Sequence, residues 1–97
     1  MNFEEYMKVK HKGRSNAIKS QELEKIFKCK GVQIREKVNE IRSRGVPICS
    51  CSKGYYYSEL VEDIKETIMH LNSRIKKISV AENGLRGTLK DKENVYD

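Results

Sequence analysis

The chain has 97 residues, 20 of them basic and 14 acidic, for a formal net charge of +6, and only 37% are apolar. A single compact core usually needs about 100 residues, so a second independent fold is excluded. The low apolar content keeps any core small, and no run approaches the roughly 20 apolar residues of a membrane span.

The charge is unevenly spread. Up to Ser58 thirteen basic residues face six acids, whereas from Glu59 onward seven face eight. A basic front half joined to a near-neutral rear half suggests a polyanion-facing domain and a separate assembly element. Met1 to Tyr6 lacks the charged-then-apolar order of a signal peptide, and an odd number of cysteines, three, suits a reducing compartment. The expectation is a cytoplasmic protein without membrane association.

In chain order, Asn2-Phe3-Glu4-Glu5 reads as a helix start, with an N-cap side chain and two acids at the positive end. The helix should run to about Lys10 and pack through Phe3, Tyr6, Met7 and Val9. His11 to Asn16 reads as a basic loop. Asn16-Ala17-Ile18 stands where a small extended piece could pair with a later hairpin. Ser20 is a suitable N-cap for a two-turn helix with Leu23, Ile26 and Phe27 inside. Four residues later a longer helix carries Ile34, Val38 and Ile41 at core spacing. Short helix, tight turn and longer helix is the order of a helix-turn-helix, and Cys29 in the turn is expected to plug inward.

At 100° per residue, the side of the third helix opposite its core stripe holds Val32, Gln33, Glu36, Asn39, Glu40 and Ser43. Arg35 and Arg42 flank one border, Lys37 and Arg44 the other. Polar residues between cationic borders suit a helix in a major groove, where cations meet phosphates and shorter side chains face base edges. Gln33 could pair with adenine, and Glu36 or Glu40 could accept from cytosine N4. Two central carboxylates would repel a phosphate-rich partner unless each finds a donor, and the residues leave base readout, phosphate-only binding and a protein contact open.

Gly45 ends that helix. Val46-Pro47-Ile48 starts an extended run that Ser52-Lys53-Gly54 turns back into Tyr55-Tyr56-Tyr57, a β-hairpin with a basic tip. Lys53 would reach a flanking phosphate, and alternation places Tyr56 on the face opposite Tyr55 and Tyr57. From Glu59 a long helix follows. Val61, Ile64, Ile68, Leu71, Ile75, Ile78, Glu82, Leu85 and Leu89 are spaced alternately by three and four, a heptad repeat with one charged interruption. Its first turns should cover the head. Ile68, Leu71, Ile75, Ile78 and Leu85 are the expected self-association residues, while Gly84 and Gly87 weaken the last heptad by roughly 1 kcal/mol each.

Nothing supports catalysis. His11 and His70 lie in different elements with no nucleophile or carboxylate at motif spacing, and no phosphate-binding glycine loop occurs. Cys49 and Cys51 share a strand face at a spacing unlike that of zinc ligands, so neither metal nor cofactor is expected.

The run Lys19-Ser20-Gln21-Glu22-Leu23, then Ile34, Val38, Ile41, Arg42, Gly45-Val46-Pro47-Ile48 and Ser52-Lys53-Gly54-Tyr55-Tyr56 resembles the N-terminal winged helix of biotin-repressor-type proteins. It is more similar still to small winged-helix proteins of phages and mobile elements of Gram-positive bacteria. The likeness covers about forty of the 97 residues. It implies a mainly α fold with a β-hairpin wing: a winged helix-turn-helix head over 1–58, an assembly helix over 59–90 and a flexible tail over 91–97. It departs where the inter-helix turn often has glycine and this chain has Lys28, which implies either a left-handed backbone there or a different turn. The implied function is sequence-specific binding of double-stranded DNA by a dimer or higher oligomer, regulating transcription or replication. The DNA-facing residues would be Lys30, Gln33, Glu36, Lys37, Glu40, Arg44 and Lys53. The alternatives are an interaction module that grips a host protein, and a purely structural assembly protein.

Overall fold

The computed structural model describes residues 1–94. Its elements are α1 (Phe3–Lys10), α2 (Ser20–Phe27), α3 (Gly31–Ser43), β1 (Ile48–Cys51), β2 (Gly54–Tyr57) and α4 (Val61–Asn94), with one 3₁₀ turn at Arg14–Asn16. This is a winged helix-turn-helix followed by a long C-terminal helix. The chain divides into two compact units, Met1–Thr67 and Ile68–Asp97. Of the expected tail, residues 91–94 continue α4, and 95–97 lie outside the described residues.

Each short helix of the first unit has an identifiable start. Asn2 Oδ1 accepts from the Glu5 N–H at 2.8 Å and caps α1. The second helix begins one residue earlier than its sequence suggests, because Lys19, not Ser20, is the N-cap and supplies the carbonyl for Glu22 and Leu23. Lys28 ends α2 at φ 52°, ψ 51°, a left-handed lysine between the two helices of the motif. Gln33 Oε1 reaches back to the Lys30 N–H at 2.9 Å and satisfies an open donor at the start of α3.

The core joins Phe3 and Met7 of α1, Ile18, Leu23 of α2, Ile34, Val38 and Ile41 of α3, and Ile48 of β1. Phe27, Cys29, Tyr55 and Tyr57 pack against it partly buried. Two expected core residues stand outside. Val9 is 63% exposed and Ile26 48% exposed, because eight-residue helices present too narrow a stripe to bury every apolar position.

The hairpin pairs Ile48 with Tyr57, Cys49 with Tyr56, Ser50 with Tyr55 and Cys51 with Gly54. It gains neighbours on β2: Ile18 and Tyr55 exchange two backbone hydrogen bonds of 2.9 and 2.8 Å, while the Tyr57 N–H donates to the His11 carbonyl. The extended piece foreseen near Ile18 is thus reduced to a single antiparallel bridge, and Asn16 falls in the 3₁₀ turn. His11 serves this corner, with Nδ1 at 2.7 Å from the Asn16 carbonyl and Nε2 at 3.2 Å from the Tyr6 hydroxyl.

The opposite sheet face carries Cys49 and Tyr56, both essentially inaccessible. The free edge of β1 lies beside the first turns of α4, where Thr67 Oγ1 accepts from the Ser50 N–H and donates to the Asp63 carbonyl. Ser58 Oγ donates to Asp63, and Arg14 forms ion pairs with Asp63 and Glu66. An edge strand that would otherwise offer open donors is thereby closed. The docking face of α4 therefore differs from the heptad stripe. Asp63 and Thr67 carry it through hydrogen bonds, while Val61 is 58% exposed.

The second unit is the remainder of α4, helical through Gly84 and Gly87 to Asn94. Ile68, Ile75, Ile78, Leu85 and Leu89 are all exposed along it. No helix of the described residues is long and apolar enough to cross a membrane.

Candidate nucleic-acid interface

Core packing through Ile34, Val38 and Ile41 orients α3 and decides what each border meets. One border meets the hairpin. Arg42 Nε donates to the Ile48 carbonyl at 2.6 Å, its Nη2 to Ser50 Oγ at 3.4 Å, and its guanidinium lies 5.8 Å from the Tyr55 ring centroid. Arg42, expected as a flanking cation, instead clamps α3 to the wing. Arg42→Ala is expected to lower stability by about 1.5–3 kcal/mol in a urea melt, the range for a hydrogen bond from a charged donor.

The other border turns towards α1. Arg44 donates to Glu40 Oε1 at 2.8 Å and to Glu4 Oε1 at 2.8 Å, and Lys8 joins Glu4 at 2.9 Å. Glu40, then Glu4, hold the Arg44 guanidinium even more firmly protonated than usual, and Lys8, then Arg44, keep the Glu4 carboxyl below its ordinary value. Lys37, Glu40 and Arg44 line one groove with Asn2, Phe3 and Glu4. Arg44 is thus engaged with Glu40 of its own helix and with Glu4 of α1, while Arg44 and Glu40 both keep exposed side chains.

Gln33 is committed as well. Its side-chain carbonyl caps Lys30, so the paired donor and acceptor needed to read adenine are not both open. Glu36 is exposed and has no ion-pair or hydrogen-bond partner among the described residues, beside a groove shared with Phe27, Cys29, Gln33 and Lys37. The accessible stripe of α3 is Val32, Arg35, Glu36, Asn39 and Ser43. Ser43 Oγ donates to the Glu40 carbonyl at 2.6 Å.

Around that stripe stand exposed cations with no ion pair among the described residues. Lys28 and Lys30 flank the inter-helix turn, Arg35 lies one turn into α3, and Lys53 is at the hairpin tip. Lys19 joins Lys53 at that tip. The Gly54 backbone approaches the start of α2 so closely that a Cβ there would stand 2.8 Å from the Lys19 nitrogen. Lys19, Lys28 and Arg35 extend the set expected from sequence. The signal for Lys19 was present, since the possible pairing of Ile18 with the hairpin carries its neighbour to the wing.

Among the described residues no group of three or more His, Cys, Asp or Glu side chains is placed to hold a metal ion. Comparison of the chain with protein-family models, with curated proteins and with solved structures finds no match.

Proposed function

We propose that the winged head binds double-stranded DNA, and that two or more copies joined through α4 act as a sequence-selective regulator of transcription or replication. The observation that carries this reading is the patch of unpaired cations. Lys19, Lys28, Lys30, Arg35 and Lys53 surround the accessible stripe of α3, whereas Glu4 and Glu40 are neutralised by partners. Within the stripe Arg35 and Asn39 are the side chains suited to guanine and adenine, and Val32 to a thymine methyl. Lys19 and Lys53 would hold phosphates beside the wing.

Titration of labelled duplex across a salt series tests this. Each phosphate contact contributes about −0.9 to the slope of log affinity against log salt, so five contacts per head give roughly −4 to −5. Lys53→Ala should make the slope shallower by about one and weaken all sequences alike, whereas Asn39→Ala should narrow the gap between best and random duplex. Absent or salt-insensitive binding at low ionic strength would overturn the reading.

One observation favours a second reading, a module that grips a host protein: Glu36 stands unpaired in the middle of the face, beside the groove that exposes part of Phe27. Glu36→Lys separates the two. It should strengthen nonspecific DNA binding if the face meets DNA and abolish a protein contact if it does not.

A further inference from the structure

Five large apolar side chains of α4, Ile68, Ile75, Ile78, Leu85 and Leu89, are 57–73% exposed at heptad spacing. We propose that this stripe pairs with the same stripe of a second copy of the chain, parallel and in register, with Glu82 as the single charged layer. The inference rests on the self-association included in the function proposed above and goes further by fixing the direction and register of the pair.

The spacing sets the frame. Ile68, Ile75, Glu82 and Leu89 occupy the a positions, and Leu71, Ile78 and Leu85 the d positions. Full burial of such a side chain stabilises by roughly 1.5–3 kcal/mol, equivalent to about 60–120 Å² of apolar surface apiece. With Leu71, Ala81 and the aliphatic stems of flanking arginines, two helices cover on the order of 1,000 Å², where specific interfaces begin. β-branched residues at a, with leucine at some d positions, favour two strands, and one polar a residue selects register.

Charge selects direction. In a parallel pair the flanking g and e′ positions bring together Arg74 with Ser79 and Ala81 with Arg86. No like charges meet at these flanking positions, and the one like-charged contact is confined to the Glu82 layer. An antiparallel pair that keeps the seam closed sets Lys65 against Arg86 at both ends and sinks each Glu82 against a Leu71. Both arrangements are unfavourable, the first by repulsion and the second by burying a carboxylate in an apolar layer. In the parallel pair the two Glu82 carboxylates share one layer, each held by Arg86 of its own helix, at 3.2 Å within the chain. That layer weakens the pair and fixes its alignment, because any slip by a heptad would oppose Glu82 to isoleucine or leucine.

Sedimentation of the full chain without DNA tests pairing by itself, separately from DNA binding. A dimer is expected, with the double variant Ile75→Asp, Ile78→Asp monomeric and the melting of the head unchanged. A monomeric or trimeric native chain overturns the proposal. Glu82→Leu should tighten the dimer at least tenfold, and unchanged or weaker pairing would remove Glu82 from the seam. For direction, Leu85→Cys should give a disulfide between the two introduced thiols, located by peptide mapping. Cross-linking only when Leu85→Cys is mixed with Ile68→Cys would show an antiparallel pair and overturn it.

Discussion

Gly54→Ala is expected to destabilise the winged head by about 3 kcal/mol or more, a large part of what a small domain has. Two effects add. Gly54 sits at φ 121°, where an L side chain is strained by roughly 1–3 kcal/mol. A Cβ there would also lie 2.1 Å from the Ile18 carbonyl oxygen and 2.4 Å from its carbon, and neither backbone atom can move without breaking the Ile18–Tyr55 pairing. Gly45 supplies the control: its φ is 85°, but a Cβ would meet nothing within 4 Å. Gly45→Ala should therefore cost only about 1 to 2 kcal/mol, the price of the left-handed backbone alone. Urea melts followed by circular dichroism measure both, and equal losses would show that the close approach to Ile18 contributes nothing.

The second large effect is expected at Tyr56, among the largest fully buried side chains. Tyr56→Ala should cost about 3–5 kcal/mol, the range for deleting a buried aromatic ring, and leave the head mostly unfolded. Tyr56→Phe should behave oppositely. The hydroxyl is buried with no hydrogen-bond partner among the described residues, although the Arg14 guanidinium lies 5.8 Å from the ring centroid. Removing an unsatisfied hydroxyl relieves a desolvation cost, so stability should hold or rise by about 1 kcal/mol.

Alkali should reveal the same site. Burial raises the Tyr56 phenol, with Arg14 drawing it partly back, and burial raises the Cys49 thiol beside it, with Thr67 opposing. The unfolded chain therefore loses these protons first. Stability is fully present below the ordinary pKa values, 9.0 for the thiol and 10.0 for the phenol, and falls as pH rises through them. Tyr56→Phe should flatten the fall above about pH 10, and an unchanged profile would exclude Tyr56 from it.

Much of the architecture was legible because it is written in local signals. The stripe Ile34, Val38, Ile41, the turn at Gly45, the alternation in Tyr55-Tyr56-Tyr57 and the heptad spacing of α4 depend only on periodicity and on glycine at turns. Lys28 was legible only in part, because its place in the turn left open a left-handed lysine or a different turn, and the structure has the former.

The candidate interface was legible only in part. Sequence places Arg42 and Arg44 on the borders of α3 and Gln33 between them, but it cannot say that the hairpin takes the first, Glu4 of α1 the second, and the helix's own N-terminus the third. Those assignments depend on which element packs against which border, a long-range property that no window of residues contains. The same holds for Lys19, which reaches the wing only through the Ile18–Tyr55 bridge. It holds again for the start of α4, which docks by Asp63 and Thr67 through hydrogen bonds that apolar periodicity does not register. By itself the sequence determined a basic helix-turn-helix with a wing and a long heptad helix. Tertiary structure alone decided which cations remain open to a partner, because a side chain is available only where packing has not already given it one.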